Sequence, residues 1–296
     1  VKEEGGSGIA IVSAENVIVR NLTIGANSQD GVVLGGQGAD TKNVWIENVV
    51  LRDNYRQAMS VCNAFGLYCR NVAFIDTIGG DPMCGIDFEP TYETYANSEC
   101  YFYDCRFGGN AGAAVNWSSS SYYPVTAHFK RCHFGPIPNC YQIIVFARCG
   151  VYMGRNIKAP SHILIEDCDM ESHADSYPLK ISNSCLFDIT IRNLKAKVVP
   201  DGRDKASRSA NCPITIDLAR EYRYYGNWGS FSPENSGALF VDGFDAQGYA
   251  GPFVEFRDRT GGYSVKKLSG HATLDGKAVD IGRFSYEAPE KDVKEI

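Results

Sequence analysis

The chain has 296 residues, including 30 glycines and 11 cysteines, and its formal net charge at pH 7 is −6. This acidic balance excludes a nucleic-acid partner that is held by a basic surface. The sequence shows no apolar run of transmembrane length and no signal peptide. We therefore expect no membrane partner. Any leader peptide is expected to have been removed.

Short strands with one pattern recur along the chain. Each has the order apolar-x-apolar-x, so the apolar residues are predicted to point inward and the others outward. The first steps between equivalent positions are 23, 27, 27 and 27 residues. The predicted strands are Ile9–Val12, Val32–Gly35, Met59–Cys62, Ile86–Glu89, Ala113–Asn116, Ile143–Phe146, Leu179–Ser182, Ile214–Asp217 and Val254–Arg257.

A second type of strand lies between these, and its inward residues change parity at a bend where Asn or Asp recurs. Side-chain amides and carboxylates at a bend satisfy turn backbone groups, so these residues are interpreted as structural. The bend residues are Asn21, Asn48, Asn71, Asp104, Asp167, Asn193 and Asp242. Two strands per repeat with one fixed polar position predict a solenoid of parallel strands.

Three cysteines, Cys105, Cys132 and Cys168, occupy the same position in successive repeats. They are interpreted as a column of small buried side chains. Because neighbouring strands lie about 4.8 Å apart, a disulfide between two of them is an open alternative. No C-x-x-C pair occurs, so the sequence gives little support to a zinc site.

The repeat resembles the pattern Asn-x-x-Ile-x-Asn-Cys-x-Phe of the pectate-lyase-like superfamily, in a degenerate form at Ile163–Met170. The resemblance covers essentially residues 8–275. It implies an all-β chain with a single right-handed parallel β-helix, a β-solenoid of about nine coils, over residues 1–275. Residues 276–296 would form a C-terminal cap or tail. Such repeats occur with many chemistries, so an activity has to be argued from a site.

The strongest candidate for chemistry is the stretch Gly85–Pro90. Ile86 and Phe88 are predicted to point inward, so Asp87 and Glu89 should project side by side into solvent. Their Cβ atoms should lie about 6.6 Å apart, which is closer to the carboxylate spacing of inverting than of retaining glycoside hydrolases. Mutual repulsion should raise one pKa and so provide an acid and a base. A solvated strand face with two ordinary carboxylates is the alternative.

Neighbouring repeats supply candidate substrate-binding residues. Asn116 is expected one coil from Glu89, within about 5 Å at the backbone. Lys180 and Asp217 are expected three and four coils beyond Asp87, where they would hold a distant sugar unit or each other.

Arg56 and two tyrosines complete the predicted site. Residues 56–61 and 85–90 are similar to a motif pair in bacterial β-helix proteins to which carbohydrate activity is ascribed. Arg56 would bind a sugar carboxylate or sulfate, or would form a structural salt bridge to Asp87. Tyr92 and Tyr122 would provide flat platforms for sugar rings, or would pack on the flank of the solenoid.

Together these residues favour a secreted or cell-surface bacterial enzyme that hydrolyses glycosidic bonds of a polysaccharide or oligosaccharide. Asp87 and Glu89 would be the acid–base pair, with no cofactor and no metal. The alternative is a polysaccharide lyase, in which Asp87, Glu89 and Asp217 bind Ca²⁺ and Arg56 or Lys180 acts as the base. A non-catalytic glycan binder, such as a tail spike or an adhesin, is a second alternative. No pattern in the sequence indicates an oligomeric state.

Overall fold

A computed structural model describes residues 6–36, 40–89, 97–119, 126–137, 141–147, 161–173, 177–182, 187–199, 212–217, 222–224, 227–229, 237–257, 265–281 and 284–285. Every regular element within these ranges is a β-strand. The same ranges contain no helix with the length and apolar character needed to span a membrane.

Nine strands form one sheet in which every neighbouring pair is parallel. Their order across the sheet follows their order in the chain. The strands are β1 (Ile9–Ile11), β3 (Val32–Leu34), β5 (Gln57–Val61), β7 (Cys84–Phe88), β10 (Val115–Ser119), β13 (Tyr141–Ala147), β16 (Tyr177–Ser182), β18 (Ile214–Asp217) and β22 (Val254–Arg257).

A larger sheet of 14 strands contains most of the remaining strands. It consists of β2 (Glu15–Gly25), β4 (Thr41–Arg52), β6 (Ala64–Ile75), β8 (Asn97–Tyr103), β9 (Arg106–Gly108), β11 (Thr126–Lys130), β12 (His133–Phe134), β14 (Ser161–Glu166), β15 (Asp169–Ser172), β17 (Phe187–Val198), β21 (Gly237–Gln247), β23 (Val265–Leu274), β24 (Lys277–Val279) and β25 (Phe284–Ser285). The last two strands pair antiparallel with β23, and all other pairs described in this sheet are parallel. A separate antiparallel pair joins β19 (Tyr222–Tyr224) to β20 (Asn227–Gly229).

The chain thus passes repeatedly between two sheets whose strands are parallel except at β24 and β25, and this arrangement is compatible with a β-solenoid, as the sequence pattern predicts. The predicted register is correct in the early repeats, where Val32 pairs with Met59 and Met59 with Ile86. It is wrong in the fifth repeat, because Ile86 pairs with Val115 and not with Ala113. A slip of two residues keeps the same face inward, so apolar alternation alone cannot detect it.

Stacked aromatic rings fill the interior between the sheets. Phe107 stacks on Phe74 and on Phe134, with centroid distances of 4.9 and 4.7 Å. Trp117 stacks on Phe88 at 4.0 Å. In-register strands bring equivalent side chains into contact, so a ring on one strand meets a ring on the next.

The cysteine column is also inside. Cys105, Cys132 and Cys168 are buried and carry free thiols, so the predicted buried column is confirmed and the alternative disulfide is absent among them. Cys168 accepts a hydrogen bond from the backbone N–H of Cys132, with the nitrogen and sulfur 3.4 Å apart.

Left-handed backbone marks the predicted bends. Asn21, Asn48 and Asn71 have φ angles of 55°, 53° and 52°. The amide of Asn48 donates to Asn21 over 3.1 Å, and the amide of Asn71 donates to Asn48 over 2.8 Å. Asn21, Asn48 and Asn71 thus form a ladder of hydrogen-bonded side chains at the bend. These contacts confirm the structural interpretation of the ladder, since Asn tolerates this conformation better than other residues with a side chain.

One predicted bend residue, Asp242, is wrong. The register pairs Arg192 with Asp242 and Leu194 with Phe244. The residue opposite Asn193 is therefore Gly243, whose φ is 77°. Glycine adopts positive φ without a steric penalty and needs no side-chain ladder to hold it there.

Asn48 provides a test of this ladder. We expect Asn48→Ala to lower the free energy of unfolding by about 1–2 kcal/mol, because alanine in the left-handed region carries a steric penalty. Asn48→Gly removes the same side-chain contacts without that penalty, so it should cost clearly less. Urea unfolding of both variants measures the difference. Equal losses in the two variants would contradict a role for the left-handed conformation.

Candidate functional site

The candidate site lies on the outer face of the nine-stranded sheet, where three neighbouring strands carry polar side chains in register. Ser60 on β5 pairs with Asp87 on β7, and Asp87 pairs with Asn116 on β10. The residues beside Asp87, Ile86 and Phe88, belong to the buried core. The alternation of the strand therefore directs Asp87 away from the core, as predicted.

The prediction that both acids project into open solvent is wrong for Asp87. Its exposed fraction is 3%, whereas Glu89 is partly exposed. Polar neighbours on the same face are themselves buried, with exposed fractions of 0% for Gln57 and 1% for Ser60. Burial of Asp87 thus depends on side chains of adjacent strands, which a pattern along one strand does not reveal.

Gln57 bridges the two acids. Its Nε2 lies 3.4 Å from Asp87 Oδ2 and 3.4 Å from Glu89 Oε1. The two carboxyl oxygens are therefore less than twice that distance apart. This limit includes the spacing of about 5–5.5 Å found in retaining glycosidases and only the lower end of the inverting range of about 6.5–9.5 Å. The spacing therefore does not favour inversion, in contrast to the expectation from the strand geometry.

Asn116 contacts a different acid from the one predicted. Its Nδ2 donates to Asp87 Oδ1 over 2.9 Å, whereas the sequence predicts a position beside Glu89. The cause is the two-residue shift of register in the fifth repeat, which pairs Asn116 with Asp87.

Two residues that the sequence argument did not assign to the site complete the network. Ser60 Oγ lies 3.0 Å from Glu89 Oε1 and 3.1 Å from Asp30 Oδ2. Asp30 also accepts a hydrogen bond from the backbone N–H of Gln57 over 3.3 Å. A sequence signal exists for Asp30, since it precedes Val33 by as many residues as Gln57 precedes Ser60.

Burial raises the pKa of both predicted acids, and the hydrogen bonds of the network oppose this change. Burial and then the charge of Glu89 raise the pKa of Asp87 to about 7, against the hydrogen bonds from Asn116 and Gln57. Burial also raises the pKa of Glu89, with a smaller contribution from Asp30, while the hydrogen bond from Ser60 opposes the change. Desolvation and neighbouring like charge are the expected causes of such shifts in carboxyl groups.

This shift predicts that the contribution of Asp87 to stability falls as the pH rises. Asp87 keeps its proton in the native state up to about pH 7, whereas an unfolded Asp loses it near pH ~3.9. Between these values the native state binds more protons at Asp87, so the contribution of this group to stability is largest at the acidic end and falls by up to about 1.4 kcal/mol per pH unit. Asp87→Asn should remove this part of the slope. Urea unfolding of the wild type and the variant across the window tests it, and a stability difference between them that does not fall as the pH rises would contradict the assignment.

Arg56 is close to the acids without pairing with them. Its charge lowers the pKa values of Asp87 and Glu89. Its Nε donates instead to the backbone oxygen of Asp81 over 3.4 Å. No ion pair joins Arg56 to either acid in the described part of the chain, so the predicted salt bridge to Asp87 is absent.

The other predicted site residues are distant or outside the described ranges. Lys180 pairs with Ile144, which pairs with Asn116, so Lys180 is three strands from Asp87. Asp217 lies at the end of β18, one strand farther on. Tyr92 and Tyr122 lie outside the described residues.

The described residues contain no group of three or more His, Cys, Asp or Glu side chains arranged to hold a metal ion. Cys62, the thiol next to the acids, has its pKa raised to about 12 by burial and by the charge of Glu89. A thiol in this state is a poor nucleophile and a poor metal ligand at neutral pH.

A second polar cluster lies on the outer face of the 14-stranded sheet. Glu166 Oε2 lies 2.7 Å from Lys130 Nζ and 3.2 Å from His128 Nε2. The hydrogen bond from Lys130 lowers the pKa of Glu166. Lys130, Glu166 and Arg192 are register neighbours of alternating charge, which stabilises a parallel ladder. We interpret this cluster as structural.

Comparison with known proteins gives no relative for the chain: no family model, no curated protein and no solved structure matches it. The resemblance to the pectate-lyase-like superfamily therefore remains a proposal that depends on the repeat alone.

Proposed function

We propose that the chain is a carbohydrate-active enzyme that hydrolyses glycosidic bonds of a polysaccharide or oligosaccharide. The proposed scaffold is a single right-handed parallel β-helix of the pectate-lyase-like type, and the proposed location is outside the cell or at its surface. The observation that supports the proposal is the pair Asp87 and Glu89, two carboxyl groups bridged by one amide with the pKa of Asp87 raised to about 7. Pairs of acids with separated pKa values are typical of general acid–base sites.

The two environments suggest different roles for the two acids. Asp87 is the more buried and holds its proton to about pH 7, so it would be the general acid that protonates the leaving oxygen. Glu89 is partly exposed and would act on the opposite face of the sugar ring as the base or nucleophile. Arg56 and Asn116 are both partly exposed and would contact hydroxyl groups or acidic groups of the sugar.

The long contacts of Gln57 suggest how a substrate would reach Asp87. Both of its contacts to the acids are 3.4 Å long, beyond the usual range of about 2.7–3.2 Å. A sugar oxygen that entered between the carboxyl groups would replace these weak contacts with shorter ones. Contacts of a general acid commonly tighten only when the substrate is bound, so burial in the free protein is compatible with this role.

A panel of polysaccharides, assayed for new reducing ends and for product stereochemistry by NMR, tests the proposal. Hydrolysis products support it. An unsaturated product that absorbs in the ultraviolet, with activity lost in chelator, would instead support the Ca²⁺-dependent lyase, in which Asp87 and Glu89 bind the ion. Tight binding without any product would support the non-catalytic glycan binder. Either result would overturn hydrolysis.

A further inference from the structure

Ser60 contacts two carboxyl groups with a hydroxyl that has only one proton. Its Oγ lies 3.0 Å from Glu89 Oε1 and 3.1 Å from Asp30 Oδ2. A hydroxyl has one proton, so it makes one full-strength donor hydrogen bond or two weaker shared ones, and an ionised carboxylate can only accept. Two full-strength hydrogen bonds at Ser60 Oγ therefore require that one of the two carboxyl groups is protonated and donates to it.

The environment of Ser60 favours a proton on one of the neighbouring carboxyl groups. Ionisable side chains around the cluster include Asp30 before β3, Arg56 and Cys62 beside β5, and Asp87 and Glu89 on or next to β7. Burial raises the pKa of Asp87 to about 7 and also raises the pKa of Glu89, and the charge of a neighbouring acid contributes to each rise. Burial and like charge therefore favour a proton on the cluster near neutral pH.

Gln57 provides an independent sign that a ligand enters here. Its exposed fraction is 0%, and its Oε1 has no hydrogen-bond partner among the described residues. A buried carbonyl oxygen without a donor costs free energy. A hydroxyl of a bound sugar or a water molecule between the acids would supply the missing donor, so the cluster is suited to a ligand with hydroxyl groups.

We propose that Ser60 relays a proton between Glu89 and Asp30, so that Asp30 regenerates Glu89 as a base. In the case in which Glu89 acts as the base and takes a proton from water, that proton moves to Ser60 Oγ while the hydroxyl's own proton moves to Asp30 Oδ2. The serine hydroxyl is restored, Glu89 is ionised again and Asp30 becomes neutral, so charge and atoms balance. Ser60 and Asp30 are positioning residues in this scheme. The use of the relay in turnover depends on the proposed function, but proton sharing does not.

The test is a carboxyl ¹³C NMR titration of the substrate-free protein. Asp30→Asn removes a negative charge and the proton partner, so we expect the titration midpoint of Glu89 to fall by about one pH unit or more. In a Ser60→Ala background the same substitution should have less than half of that effect. Ser60→Thr keeps the hydroxyl and should keep the coupling, which separates the relay from a loss of packing. Asp53→Asn, at an exposed site, should leave Glu89 unchanged.

The proposal is overturned if Asp30→Asn moves the Glu89 midpoint by less than about 0.2 pH unit. It is also overturned if the shift is the same with and without the Ser60 hydroxyl, because the coupling is then purely through space. Coupled titrations support proton sharing even if the polysaccharide panel yields no product. The relay and the hydrolase proposal therefore fail separately.

Discussion

Replacing Glu89 with glutamine is expected to reduce turnover of the substrate by about 100- to 10,000-fold, the usual contribution of a general acid–base group. Glutamine keeps the size of the side chain and can still contact Ser60 and Gln57, so the fold should be preserved. It has no ionisable group and cannot act as a base or nucleophile. Initial rates on the polysaccharide that the panel identifies measure the effect, and near-ultraviolet circular dichroism checks the fold.

Asp53→Asn is the matched control, because this carboxylate is exposed and forms its ion pair with Arg52. It should leave turnover within about twofold of the wild type, since exposed ion pairs contribute little. Near-normal turnover in both Glu89→Gln and Asp87→Asn would remove the proposed active site.

The same pair of variants separates the two roles. If Asp87 is the acid, Asp87→Asn should recover much of its activity on aryl glycosides, whose leaving group departs without protonation. Glu89→Gln should not recover activity, because it lacks the carboxylate that attacks the sugar as a nucleophile or activates water as a base. The rate of the wild type should also fall above about pH 7, where Asp87 loses its proton. Equal recovery in the two variants would contradict this division of roles.

The strands could be predicted because each needs only a local signal. Alternation identified Val32, Met59 and Ile86 as equivalent core positions, and the structure pairs them in that order. The register of the fifth repeat could not be predicted, because Ala113 and Val115 are both apolar and have the same parity. Only contacts with the neighbouring strand select Val115 as the partner of Ile86.

The site was predicted in part for the same reason. The direction of Asp87 follows from its buried neighbours on one strand, and this was correct. Its burial and its hydrogen bonds depend on Gln57, Asn116 and Ser60, which come from other strands. Asp30 lies before its strand, outside the alternating pattern, although it occupies the repeat position equivalent to Gln57. A column read across all repeats, including residues outside the strands, would have found it.

The interior rings should respond to mutation more strongly than any other part of the fold. Phe107 is fully buried, stacks between Phe74 and Phe134, and meets Phe129 edge-on at 6.3 Å. Phe107→Ala removes the ring and leaves a cavity between rings that neighbouring strands hold in place. We expect it to lower the free energy of unfolding by about 3–5 kcal/mol, a large fraction of the total of about 5–15 kcal/mol for a natural protein.

Phe240→Ala is the control for this loss, because Phe240 lies on the outer face and is 44% exposed. Its substitution should change stability by no more than about 0.5 kcal/mol, whereas Phe107→Leu should restore most of what alanine loses. Urea unfolding followed by far-ultraviolet circular dichroism measures all three variants. In-register parallel strands place each buried ring against its equivalents on both sides, so one ring supports two neighbours. Similar losses for Phe107→Ala and Phe240→Ala would contradict this dependence on the stack.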